Sequence, residues 1–242
     1  MTGQEARWSA RYRDAGDDYL FGIEPNHFLE RRSALFVGSS TVLSIADGEG
    51  RNSVWLAEQG LDVTAVEISP VALAKAQKLS ATRGVAVKFE LADILAEDWP
   101  PPPMRNQLDW VVGIFIQFVG AVERVRQFSA MKMATRPGGH VLLLGYTPRQ
   151  LEYKTGGPSE IENLYTEASL RAEWADWTIE ELVEYEGYIE EGLAHRGRSA
   201  LIGMVARKAL LASVADSACS LAHCSSSRVS LSWVIFSWEI TA

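Results

Sequence analysis

The chain has 242 residues, enough for one α/β domain with a sizeable core, and its 47% apolar and 22% charged residues are those of an ordinary globular protein rather than a fibre or a disordered segment. The net charge of −8 and the lack of a Lys/Arg stripe argue against a nucleic-acid substrate, because a duplex binder must neutralise phosphates with clustered cations. Two cysteines, Cys219 and Cys224, make neither a disulfide framework nor a zinc-binding pair, and His27, His140 and His223 have no ligand spacing, so no metal is expected. The polar, charged first 18 residues lack the apolar core of a signal peptide, and no apolar run approaches the ~20 residues that span a membrane. These features together predict a cytoplasmic protein that acts on a small molecule, without a membrane or nucleic-acid partner.

In chain order, residues 41–46 form an apolar run of the kind found in a buried strand, and 52–59 carry a helical pattern. Residues 61–66 are a second strand. Ser69 as N-cap and Pro70 as first helical residue open a helix through about Thr82, stopped by Gly84. Residues 85–91 are a third strand. Trp99 and Pro100 to Pro103 predict a rigid connector on the surface. The nearly continuous apolar run 108–115 is a central strand covered on both faces. Residues 121–135 read as a helix, 137–139 as a turn and 140–146 as a fifth strand.

The rhythm then changes. Residues 177–188 and 198–207 are two strands with no room for a helix between them, and they should pair antiparallel. The expected architecture is α/β: a Rossmann-like, doubly wound, mostly parallel seven-stranded sheet with a C-terminal antiparallel hairpin. Residues 1–35 are expected to form a helical cover, 36–208 the main domain and 209–242 an extension without evident chemistry.

The chemistry concentrates where strands end. Ala46-Asp47-Gly48-Glu49-Gly50-Arg51-Asn52 follows the first strand and opens a helix. Glycines there allow a sharp turn and close approach to a ligand, and the helix N-terminus offers free N–H groups. Glu67 ends the second strand, where a carboxylate can accept both hydroxyls of an adenosine ribose. Asp93 ends the third, beside the expected adenine position. A dinucleotide loop carries a third glycine where Ser53 stands, and the terminal hairpin is foreign to dehydrogenases, so a nicotinamide oxidoreductase is disfavoured. A Walker A lysine motif is absent as well. Tyr146 ends the fifth strand on the same edge. His195, placed in the hairpin turn, can orient a substrate or act as a base near neutral pH. Tyr153 and Arg198 are further substrate-side candidates, while Glu190 and Glu191 read as a solvated pair.

With these segments in view, residues from about Trp8 to Lys208 resemble a class I S-adenosylmethionine-dependent methyltransferase, within the branch that includes the tellurite-resistance and thiopurine (thiol) methyltransferases. The matching segments are Tyr19 to Asn26, Ala46 to Asn52, Ala65 to Ser69 (which includes Ile68), Arg136 to Gly139, Tyr153 to Pro158 and His195 to Ala200. The resemblance implies S-adenosylmethionine as cofactor. It assigns Gly48, Gly50 and the Ala46–Asp47 backbone to the methionine part, Glu67 to the ribose, Asp93 and Ile94 to adenine, and Ile114 and Gln117 to the methyl-transfer site. Trp8, Tyr12, Tyr19 and Asn26 would cover the cofactor. The sequence departs from the family where Ser44 replaces an acidic residue and Ala46 a frequent glycine, leaving Asp47 to recognise the methionine ammonium.

The expected function is methyl transfer to a small acceptor, a soft nucleophile such as a thiol, selenium or tellurium species. The segment 114–118 lacks the prolines of the family's adenine- and amide-directed enzymes. An O- or N-methyltransferase of a small metabolite and a non-catalytic S-adenosylmethionine-binding protein are the alternatives. Oligomeric state is not legible.

Overall fold

In the computed structural model, residues 3–210 are described, and residues 1–209 form one compact unit. The expected extension 209–242, with Cys219, His223 and Cys224, lies outside the described residues but for its first two. The elements are α1 Gly3–Asp14, α2 His27–Glu30, β1 Thr41–Ile45, α3 Arg51–Glu58, β2 Asp62–Glu67, α4 Pro70–Arg83, β3 Lys88–Leu91, β4 Leu108–Ile114, α5 Ala121–Ala134, β5 Thr135–Tyr146, α6 Gln150–Tyr153, α7 Glu167–Glu173, β6 Thr178–Glu191 and β7 His195–Arg207. The sheet has seven strands in the order β3-β2-β1-β4-β5-β7-β6. The first five pair in parallel, and β7 runs antiparallel to both β5 and β6. This is the Rossmann-like α/β arrangement with a terminal antiparallel hairpin. The strand order reverses between β1 and β4, so the crevice for a ligand opens at their carboxyl ends.

Successive side chains of a strand point to opposite faces, and the central strands are apolar at nearly every position, so each face builds its own core. Leu43, Val111, Leu143 and Met204 pack on one side; Val42, Trp110, Val112, Leu142 and Val205 pack on the other. Helix α4 starts and stops where its caps dictate: the Ser69 hydroxyl accepts from Ala72 N at 3.3 Å, Pro70 opens the first turn, and Gly84 closes it in the left-handed conformation.

Three local expectations need correcting. The Pro137-Gly138-Gly139 segment is the irregular start of β5, since Thr135 already pairs with Leu108 and a register shift absorbs the glycines. Residues 85–87 belong to the exit from α4, where Val85 N bonds Ser80 O, so β3 begins at Lys88. Trp99 is buried in the core rather than part of a surface connector. The hairpin also departs from expectation. Its strands run to Glu191 and resume at His195, which pair with each other, so His195 stands on β7 and not in the turn.

Candidate active site at the carboxyl edge of the sheet

The ends of β1, β2, β4 and β5 open into a cavity of about 380 Å³, within the range of small-molecule sites. Following the sheet order, the distance from the end of β2 to the end of β5 is three strand spacings, about 14 Å.

At the β1–β2 end the loop 46–50 folds around acidic groups. Glu67 is buried, and its two oxygens accept the amides of Gly48 at 2.9 Å and Ser69 at 2.8 Å. Burial, reinforced by the nearby Asp47 carboxylate, pushes its pKa up to about 6 despite those bonds. Each carboxylate oxygen keeps a spare lone pair, so the side chain can still accept from a diol. Asp47 is half-buried on the cavity wall: Ser44 Oγ donates to one oxygen at 2.6 Å and Ser53 Oγ to the other at 2.5 Å, and desolvation raises its pKa. Ser44 and Ser53, which looked like departures from a motif, are the two clamps on this carboxylate. Ala46 sits at φ +47°, a conformation that favours glycine. Gly50 has φ +91° and a Cβ there would lie 2.8 Å from Ala76 Cβ, so helix packing, rather than ligand clearance, demands this glycine.

Ile68, Asp93, Ile94 and Leu95 continue the wall. The Asp93 side chain accepts from Leu95 N at 2.9 Å, fixing the turn after β3. From the N-terminal side α1 contributes Gln4, Arg7, Trp8, Arg11 and Tyr12. The helix is tethered by a 2.8 Å Ser9–Ser69 hydroxyl contact and by Lys75, whose Nζ bonds Tyr12 O, Asp18 O and Glu49.

At the β4–β5 end the wall is aromatic. His195, its side chain 11% exposed, has ring centroids 4.6 Å from Phe21, 4.8 Å from Phe115 and 5.8 Å from Tyr146. Phe115 leaves β4 at φ +57° and stacks on Tyr146 at 4.6 Å. Burial and the neighbouring Arg51 push the His195 pKa down against the pull of Glu191. Burial, with Glu191 adding to it, raises that of the Tyr146 hydroxyl, which has no partner. Glu191 is not the solvated residue the sequence suggested: Glu190 is exposed and pairs with Arg196, but Glu191 is buried and bonds Arg51 Nη2 and Asn26 Nδ2, both at 2.7 Å. Alternation explains this, since adjacent strand residues face opposite ways.

The cavity therefore brings together Trp8, Tyr12, Ala46, Asp47, Gly48, Asn52, Glu67, Ile68, Asp93, Ile94, Ile114, Gln117, Tyr146 and His195. Tyr19, Asn26, Gly50, Tyr153 and Arg198 do not line it. The Tyr19 hydroxyl donates to Lys75 O, Asn26 caps α2 through Phe28 N, and Arg198 pairs with Glu186 on the exposed side of the hairpin. Gln117 lines the cavity but spends its amide on the Tyr146 and Asn163 backbone. Sequence reasoning missed Phe21, Phe115, Arg51 and Glu191. Arg51 lay in plain view inside the glycine loop; Glu191 carried no local signal. Among the described residues no cluster of acidic, His or Cys side chains is built to hold a metal ion, and no helix is long and apolar enough to cross a membrane.

A parallel sheet capped by this hairpin, with a glycine loop and a strand-end acid on one edge, is the fold of the class I S-adenosylmethionine-dependent methyltransferases. Residues 42–139 match the family described as Methyltransferase domain. Among curated proteins the chain is similar to Hemagglutinin 1 of Eikenella corrodens, 29% identical over 178 residues. These are 72% of this chain and 54% of the relative, so the chain spans about half that protein's length. Among solved structures it is similar to one reported for the conversion of a disulfide bond into a thioacetal group during echinomycin biosynthesis (TM-score 0.72, 21% identity, 91% of this chain and 98% of that one). It is also similar to TehB from Haemophilus influenzae (0.60, 21%, 76% and 62%) and to the N-methyltransferase NodS from Bradyrhizobium japonicum WM9 (0.58, 16%, 75% and 93%).

Proposed function

We propose that the protein transfers a methyl group from S-adenosylmethionine to a small-molecule acceptor, and that the acceptor is a soft nucleophile, a thiol before any other. The observation that carries this reading is the division of one cavity between an adenosine-type grip at the β1–β2 end and an aromatic wall with a half-buried His195 at the β4–β5 end. The residues fit the cofactor. Glu67 would hold the ribose, Asp93, Ile94 and Ile68 the adenine, and the loop amides with Asp47 the methionine part. Trp8 and Tyr12 would cover it. When bound, the cofactor supplies a methyl group already activated on a sulfonium.

This chain then supplies alignment and exclusion of water, worth about 7–11 kcal/mol of the barrier when well arranged. Apolar aromatic surfaces around Phe21 and Phe115 suit a polarisable sulfur, which gains favourable contacts with ring edges. The echinomycin structure is named for sulfur chemistry and supports that choice, while the N-methyltransferase NodS marks the alternative. A cytoplasmic setting, with no membrane or nucleic-acid partner, belongs to the same reading and rests on the acidic composition.

Two measurements test it. Calorimetry with S-adenosylhomocysteine should give saturable binding; a folded protein that gives none defeats the cofactor assignment. Release of S-adenosylhomocysteine should then be stimulated by members of a panel of thiols, selenite and tellurite. Stimulation by amines or phenols alone would transfer the acceptor to the N or O class, and none with any acceptor would favour a cofactor-binding protein without catalysis.

A further inference from the structure

Three buried polar atoms at the β4–β5 end have no partner: Arg51 Nη1, Tyr146 Oη and His195 Nδ1. Buried donors and acceptors are almost always paired, so each of these atoms is open to a partner from a neighbour, a water or a ligand. One has a partner just out of reach. His195 Nδ1 lies 3.9 Å from Glu191 Oε2, beyond hydrogen-bond length by about 1 Å. Catalytic hydrogen bonds are often long in ligand-free structures and tighten when the site fills. Glu191 itself is held on both oxygens, by Asn26 Nδ2 and Arg51 Nη2, each at 2.7 Å. Burial works against its charge, but His195 and Arg51 outweigh it and keep the carboxylate ionised, with a pKa of about 2.

From this geometry we infer that Glu191 is a positioning residue: it fixes the proton of His195 on Nδ1, so that Nε2 faces the cavity as the base that accepts a proton from the methyl acceptor. The inference rests on the function proposed above and narrows its acceptor to one that arrives protonated. The acceptor's S–H bond breaks, its electron pair stays on sulfur, and the proton passes to Nε2. The imidazolium then carries a proton on each nitrogen, with the Nδ1 proton held by Glu191, until it is released to solvent. This is the base-plus-orienting-carboxylate logic of nucleophile activation, built here across a β-hairpin. A thiol, with an ordinary pKa near 8.5, matches a neutral imidazole; an acceptor that is already an oxyanion needs no base.

The groups that act on His195 come from four elements. The charged ones are Glu191 from β6, Arg51 from α3 and Arg11 from α1; the titratable but neutral Tyr146 comes from β5, and the rings of Phe21 and Phe115 are uncharged. The two cations resist protonation of the ring and Glu191 alone favours it. Ring tautomer and ring pKa therefore report on Glu191 without turnover.

The test is nitrogen NMR of histidine-labelled full-length protein saturated with S-adenosylhomocysteine, the His195 signals being assigned with His195→Asn. The wild type should show a neutral His195 protonated on Nδ1 and bare at Nε2. Glu191→Gln should lose that preference and titrate lower by about one pH unit, tenfold in proton affinity. Asn26→Ala, which removes a brace but leaves the carboxylate, should keep the wild-type tautomer. An Nε2-protonated ring in the wild type, or a tautomer and titration unmoved in Glu191→Gln, would overturn the inference. The wild-type spectrum decides the matter even if the glutamine variant does not fold. Calorimetry on the same sample separates failures, because lost S-adenosylhomocysteine binding indicts the cofactor site and a wrong tautomer indicts only the dyad.

Discussion

The two ends of the cavity are built on different principles. At the β1–β2 end a buried acid is surrounded by its own loop: Glu67, Gly48 and Ser69 lie within a short stretch, and backbone amides hold the charge. At the β4–β5 end a buried acid is held by side chains from far away, since Asn26 and Arg51 reach Glu191 across 165 and 140 residues. Backbone amides are strong donors but carry no net charge, so burial still wins at Glu67 and its pKa rises to about 6. A guanidinium carries full charge, so at Glu191 the partners win and the pKa falls to about 2. The first end is left able to gain from donors that a ligand brings. The second is internally neutralised and serves to orient a neighbour.

The largest effect expected from this contrast is on cofactor affinity. Glu67→Ala removes the proposed acceptor of the ribose diol and also frees the Gly48 and Ser69 amides. With charge-assisted bonds worth roughly 1.5–3 kcal/mol each, S-adenosylhomocysteine should bind at least about 100-fold more weakly by calorimetry. A loss below tenfold would mean that the ribose is held elsewhere.

The second end should break differently. Arg51 and Glu191 have side chains only 7% and 6% exposed, so removing one strands the other. Arg51→Met alone should lower stability by about 3–5 kcal/mol in denaturant unfolding, and adding Glu191→Leu should recover most of it. Additive losses in the double variant would show that the pair is not coupled. The corresponding double change at the first end has no such rescue, because the partners of Glu67 are backbone.

How much could be read in advance follows the same division. The glycine loop, Glu67 and Asp93 form local patterns at strand ends, and hydrophobic periodicity placed all seven strands. Glu191 and Phe115 were invisible because their roles depend on which strand face turns inward and on a left-handed backbone after β4. The extent of the hairpin was underestimated for the same reason. Residues 189–197 alternate too weakly to read as strand, yet β6 and β7 pair through all of them except the turn, where Gly192 packs its backbone on Gly22. Ser44 departs from the family's acidic position and Ser53 from a dinucleotide loop's third glycine, but that both clamp Asp47 follows only from the folded loop.

The glycines of the loop sharpen the contrast at smaller scale. Gly50→Ala places a Cβ 2.8 Å from Ala76 Cβ and 2.9 Å from Ala76 Cα at φ +91°, so helix α4 must shift. A loss of about 2–4 kcal/mol by thermal unfolding is expected, with cofactor affinity falling in proportion. Gly48→Ala meets only the end of the Tyr12 ring, its hydroxyl oxygen at 2.9 Å, which can swing away. It should therefore lose less stability, although its φ of +66° still penalises a side chain.

The smallest effect is that of pH on the first end. The folded protein holds a proton on Glu67 up to about pH 6, whereas the unfolded chain releases it near 4.5. Between those values the folded state binds the extra proton, so the contribution of Glu67 to stability is greatest below pH 4.5. It then falls by about 2 kcal/mol as pH rises through 6. A ribose diol donates to the carboxylate and not to the acid, so affinity for S-adenosylhomocysteine should run the other way. It should fall about tenfold per pH unit below 6 and flatten above it. The thermal shift produced by saturating S-adenosylhomocysteine should accordingly grow from pH 5 to 7, and Glu67→Gln should abolish that growth. Glu191 is ionised throughout this window, so the His195 end contributes no carboxylate titration of its own, and a pH dependence that survives in Glu67→Gln would point to Asp47, whose pKa burial also raises, or to His195.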